Sequence, residues 1–168
     1  ISGNLAPINF NNSPIKTGSW NPVAIKDLVG TGFVRPFHFE ILDGETQVFR
    51  GVTGSTLPNG RKTVAFTLND SIAPDQFLNF SDGYIFPDDA EDGTSHLVMT
   101  KTLTMKESNA NLPGYVIDEN EYEFTINVYN IKGQPNLIVQ IEDEEGNIIS
   151  DDKGNFTTDN IPIFFNGY

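Results

Sequence analysis

The segment QIEDEEGNIISDDKGNFTTDN, residues 140–160, crowds carboxylates around glycines 146 and 154. Dense hard-oxygen ligands on a short loop are the chemistry of calcium. A twelve-residue calcium loop requires acids or amides at its first, third and fifth positions, glycine at the sixth and glutamate at the twelfth. With Gly146 sixth, Ile141 falls first and Asp152 twelfth; with Gly154 sixth, Ile149 falls first and Lys153 fifth. Neither register works. The segment reads instead as a strand with Leu137, Val139 and Ile141 on one face, a turn at DEEGN, a short return at IIS and a second turn at DDKGN. Those turns sit at opposite ends of the middle strand, roughly 15 Å apart, too far for one ion. They are expected to be acidic hairpin turns.

A better cation candidate is DDAEDG, where Asp88, Asp89, Glu91 and Asp92 fall within one loop. Calcium is the one cofactor this suggests, provided backbone carbonyls converge there too. The competing reading is an exposed turn whose acids keep a sheet edge solvated. Catalytic chemistry has little to draw on. There is no cysteine, so disulfides, thiolate zinc sites and cysteine nucleophiles are excluded. Of the two histidines, His38 lies between Phe37 and Phe39 on the opposite face of a strand, and His96 opens a long strand. No nucleophile elbow, phosphate loop or paired-histidine spacing occurs. The chain reads as no enzyme.

Binding has two candidates. Trp20, Tyr84, Phe86 and Tyr115 lie in turn-rich segments, where an exposed ring can stack on a sugar face. Alternatively, Trp20 and Phe86 cap the ends of a core. The termini carry apolar extended segments: Leu5, Ile8 and Phe10 at one end, Ile161, Ile163 and Phe165 at the other. Such strands can complete an open sheet in a second copy or another surface protein. The alternative is an ordinary first and last strand.

These residues must be carried by strands, because the hydrophobic period is almost everywhere two. In EYEFTINVYN, Tyr122, Phe124, Ile126 and Val128 share a face. In SHLVMTKTLTM, Leu97, Met99, Leu103 and Met105 do the same. RPFHFEILDGETQVFRG reads as two strands joined at Asp43-Gly44, and KTVAFTL places Val64, Phe66 and Leu68 together. Helix is scarce. WNPVAIKDLVG predicts two turns, with Asn21 as N-cap, Pro22 at the first helical position and Gly30 beyond the end. APDQFLNF predicts one more. No internal repeat is read, and a soft boundary falls near residues 131–136.

The segments FPDDAEDGTSHLVMTKTLTM and NEYEFTINVYN resemble late strands of immunoglobulin-like modules in bacterial surface proteins. That resemblance implies a fold class and nothing about function.

The expectation is thus a single all-β domain over residues 1–168, an antiparallel β-sandwich of immunoglobulin-like or jelly-roll kind, with at most two short helices. Ten basic residues against 23 acidic give a net charge of −13, a field that repels phosphate backbones and anionic bilayers. Nucleic acid is excluded as a partner, and no apolar run approaches the length of a membrane span. The first residue is isoleucine rather than methionine, which suggests that a signal peptide, a tag or the rest of a longer protein was removed, and an extracellular or cell-surface location is expected. The function expected is a non-catalytic structural or adhesive module, a filament or virion subunit using its terminal strands. The alternative is a carbohydrate-binding module with a structural calcium.

Overall fold

The computed structural model describes residues 15–29, 36–108 and 118–167. Leu5, Ile8, Phe10 and Tyr115, expected above to take part in assembly or sugar binding, lie outside the described residues. In chain order the strands are β1 (Lys16–Ser19), β2 (Val23–Val29), β3 (His38–Asp43), β4 (Thr46–Thr56), β5 (Lys62–Leu68), β6 (Asn79–Asp82), β7 (Ser95–Glu107), β8 (Glu121–Ile131), β9 (Ile138–Glu142) and β10 (Ile163–Gly167). One helical turn, α1 (Pro74–Phe77), precedes β6, and a single 3-10 turn spans Thr158–Asn160. The fold is all-β and sandwich-like, and its large sheet curls into a half-barrel.

That sheet has eight strands in the order β10-β2-β5-β4-β3-β7-β8-β9, and β1 and β6 form a second, two-stranded sheet. Neighbours in the large sheet are antiparallel except β10 and β2, which run parallel from Ile163 opposite Ile25 to Gly167 opposite Val29. The Asp43-Gly44 turn joins β3 to β4 as expected, with Gly44 at φ +62°. β9, beyond the soft boundary, hydrogen-bonds to β8 within the same sheet.

The core lies inside the curl. Trp20 is at its centre, edge-on to Phe49 at 5.3 Å and to Phe124 at 5.8 Å between ring centroids. Phe39, Ile41, Leu103, Met105, Ile126 and Val139 are buried around it.

Three expectations fail locally. Residues 23–29, expected to be helical, form β2: Ala24 and Lys26 face inward and Val23, Ile25 and Asp27 only partly so. A lysine at an inward position breaks the apolar alternation that would have identified a strand. In β7 the pairing shifts between Leu97 and Met99, and the bulge turns Leu97 out to 48% exposure while Val98 packs on the core. Finally, an internal repeat is present. Asp143-Glu-Glu-Gly-Asn147 and Asp151-Asp-Lys-Gly-Asn155 are the same turn made twice. In each, one aspartate oxygen accepts the N–H groups two and four residues on, and the other accepts the asparagine Nδ2.

Candidate functional site

The acidic hairpins answer the first chemical question. Their leading carboxylates are occupied by their own turns: Asp143 takes Glu145 N and Asn147 N, both at 2.9 Å, and Asp151 takes Lys153 N at 2.8 Å and Asn155 N at 3.0 Å. The Asn147 side chain, then its N–H, holds the Asp143 carboxyl below its ordinary pKa. Partial desolvation works against the same shift at Asp151, but the donors of Asn155 and Lys153 outweigh it.

At DDAEDG the carbonyls do converge, but on an ammonium. Lys132 Nζ donates to Ala90 O and lies 3.5 Å from Pro87 O. Asp88, Asp89, Glu91 and Asp92 point to solvent. Among the described residues no three histidine, aspartate or glutamate side chains gather where they could hold a metal.

The aromatic candidates divide. Trp20 is 1% exposed and belongs to the core, so no ligand can stack on it; the curl of the sheet encloses it. Tyr84 is exposed, but one face of its ring lies flat on His96, centroids 3.8 Å apart, and Phe86 meets it edge-on at 5.0 Å.

The C-terminal apolar segment completes this chain's own sheet as β10. Its inward residues are Phe164 and Asn166, while Phe165 is half exposed and Ile161 and Ile163 are partly covered. Two backbone groups on this edge strand are already bonded. Tyr122 Oη donates to Ile163 O at 2.7 Å, and Phe165 N donates to Asp118 Oδ2 at 2.7 Å. The opposite edge, β9, is covered as well: Val139 N donates to Asp152 O, Ile141 N to Ser150 Oγ, and Ile149 N to Ile141 O. Part of the β10 edge and most of the β9 edge are thus already bonded within the chain.

The most unusual chemistry lies where no motif pointed. Lys26 on β2 is wholly buried, and its Nζ is 3.5 Å from Oε1 of Glu107, the last residue of β7, whose side chain is also fully buried. Asn166 on β10, 1% exposed, donates its Nδ2 to the same Oε1 at 2.8 Å. Asp118 N donates to Glu107 Oε2 at 3.3 Å. The Lys26 ammonium also stands 4.6 Å over the Phe37 ring. Phe164, paired with Lys26 across the ladder, packs on Phe39 and Tyr122 at 5.1 Å each.

Tertiary structure alone makes this cluster. β2 and β7 are separated in the sheet by β5, β4 and β3. A flat sheet would hold them roughly 19 Å apart. The curl brings the end of β7 across the interior to β2 and β10. Burial lowers the Lys26 pKa to about 8 despite the Glu107 carboxylate beside it. Burial likewise raises Glu107, against the pull of Lys26, Asn166 and the Asp118 N–H. Of the four buried side-chain atoms without a hydrogen-bond partner among the described residues, two belong to this cluster, Lys26 Nζ and Asn166 Oδ1; the others are Trp20 Nε1 and Asn130 Oδ1. Buried polar atoms normally find partners, so a pair of orphans in one cluster requires an explanation.

Sequence reasoning missed all three residues. A signal existed for one of them: in the alternation of IPIFFNGY, Asn166 shares the face of Phe164. No family model matches the chain, and no curated protein matches it.

Proposed function

We propose that this chain is a non-catalytic structural module of an extracellular or cell-surface assembly, and that it carries tension between its two ends. The observation behind this reading is the parallel pairing of β2 with β10 over five residue pairs. The chain enters β2 at one end of that ladder and leaves β10 at the other. A pull applied just before β2 and just after β10 therefore runs along both strands in opposite directions and loads the ladder bonds together. An antiparallel pair pulled from adjacent ends would open them one at a time. The backbone bonds already made along the β9 edge and at two positions of β10 fit a module that stays separate from its neighbours' sheets. Trp20 is buried in the core and one face of Tyr84 is taken by His96, so the structural reading is preferred to sugar binding at these rings.

Force spectroscopy tests this directly. The chain has no cysteine, so an Asn21→Cys handle and a C-terminal handle attach uniquely. Pulling through these two should require markedly more force than pulling through Asn21→Cys and Asn160→Cys, which sit at the same end of the ladder. Equal forces in both geometries, in a chain whose β2 and β10 are joined by hydrogen bonds alone, would remove the reading.

A further inference from the structure

We propose that Lys26 and Asn166 join through a covalent amide bond between Nζ and Cγ, formed within the folded chain with Glu107 as the proton carrier and ammonia as the leaving group. The placement comes first. Lys26 lies opposite Phe164 in the parallel ladder, so Asn166 is its diagonal neighbour on the same inward face. At that offset the two Cα atoms are roughly 8 Å apart, a span that a lysine side chain and an asparagine side chain bridge between them. Both reacting nitrogens already touch one oxygen, Glu107 Oε1, at 3.5 and 2.8 Å.

The step balances without any further reagent. The neutral amine of Lys26 attacks Cγ of Asn166, and the Nζ–Cγ bond forms. Glu107 takes the proton that Nζ sheds and returns it to Nδ2. The Cγ–Nδ2 bond then breaks and ammonia departs. Nothing is oxidised or reduced. Burial favours the neutral amine that attack requires, and the depressed Lys26 pKa reflects this. Nothing among the described residues donates to Asn166 Oδ1, so the carboxamide is held from its nitrogen side only. Fixed neighbours in a dry site supply the high effective concentration that an unactivated amide needs.

The same reaction explains the orphaned lysine nitrogen. Unlinked, the cluster keeps a lysine ammonium away from water with a single ion-pair contact and no hydrogen bond, an expensive arrangement. Linked, Nζ becomes an uncharged amide N–H facing Glu107, whose carboxyl burial pushes toward its neutral form, so neither side chain need stay charged. The bond would tie β2 to β10, the two strands on which the tension-carrying reading depends. It is inferred from the cluster's chemistry and stands whether or not the chain bears load.

Intact mass spectrometry of the purified full chain is the test. The expected mass is lower than the sequence mass by one ammonia, and proteolysis should yield one branched species containing the β2 and β10 peptides. Lys26→Arg and Glu107→Gln should each restore the full mass, with near-ultraviolet dichroism from buried Trp20 reporting that the fold persists. A folded wild-type chain at full sequence mass overturns the proposal. So does an ammonia loss that survives in folded Lys26→Arg, because that is a succinimide at Asn59-Gly60 or Asn166-Gly167. The pulling comparison is then run in Glu107→Gln. Equal forces there would sink the tension reading while leaving the mass result intact.

Discussion

The repeated turn offers a matched pair for measuring packing separately from backbone strain. Gly146 and Gly154 occupy equivalent positions, at φ +83° and +75°, so an L side chain is disfavoured equally at both. Their surroundings differ. A Cβ on Gly146 would meet nothing within 4 Å, whereas one on Gly154 would lie 2.8 Å from Val139 Cγ1 and 3.1 Å from Trp20 Cδ1. Gly146→Ala therefore carries only the left-handed penalty, about 1–2 kcal/mol. Gly154→Ala adds the overpacking of a tight core, about 1–3 kcal/mol more. Both obstructing atoms belong to buried residues, Val139 on the edge strand β9 and Trp20 at the core's centre, so neither can swing into solvent. In urea, with Trp20 emission as the probe, Gly154→Ala should lower the midpoint well beyond Gly146→Ala at an unchanged slope. On heating, the gap should be about 3 °C for each kcal/mol. Equal losses in the two variants would refute the reasoning, because they would mean that the second turn does not rest on the core.

The remaining predictions concern charge. The Asp143 and Asp151 carboxyls have folded pKa values below their unfolded ones, so their stabilisation is present above the ordinary aspartate range and is lost as pH falls through the folded values. The double variant Asp143→Asn with Asp151→Asn should accordingly show a flatter acid limb below about pH 4 in a pH series of Tm. Lys132→Met removes the ammonium from the carbonyls of Pro87 and Ala90, and hydrogen exchange should accelerate within residues 87–93 while β8 stays protected. In unlinked Asn166→Ala, Lys26 titrates near 8 when folded and near 10.5 when unfolded. The unfolded chain then holds more protons across that window, so Tm should rise with pH there. The linked wild type, with no amine to titrate, should lack that rise.

Much of this fold was legible locally. Alternation in β8, with Phe124, Ile126 and Val128 buried, and the Asp43-Gly44 hairpin were readable because period-two burial and turn chemistry are properties of adjacent residues. The repeated Asp-x-x-Gly-Asn turn is equally local, a five-residue motif made twice within thirteen residues. Where a single residue broke the local pattern, reading failed: Lys26 inside VAIKDLV made a strand look like a capped helix.

What the sequence determined by itself was class and exclusion: an all-β chain, dense in turns, acidic and without thiol chemistry. Which strands became neighbours was decided only in three dimensions. β10 pairs with β2 across most of the chain's length, and the curl of eight strands sets Glu107 against Lys26 although 81 residues separate them. Nothing local encodes that contact. It arises because a twisted sheet wraps around a core of Trp20 and its phenylalanines, and the same burial that closes the core strips water from the lysine, the glutamate and the asparagine left inside it.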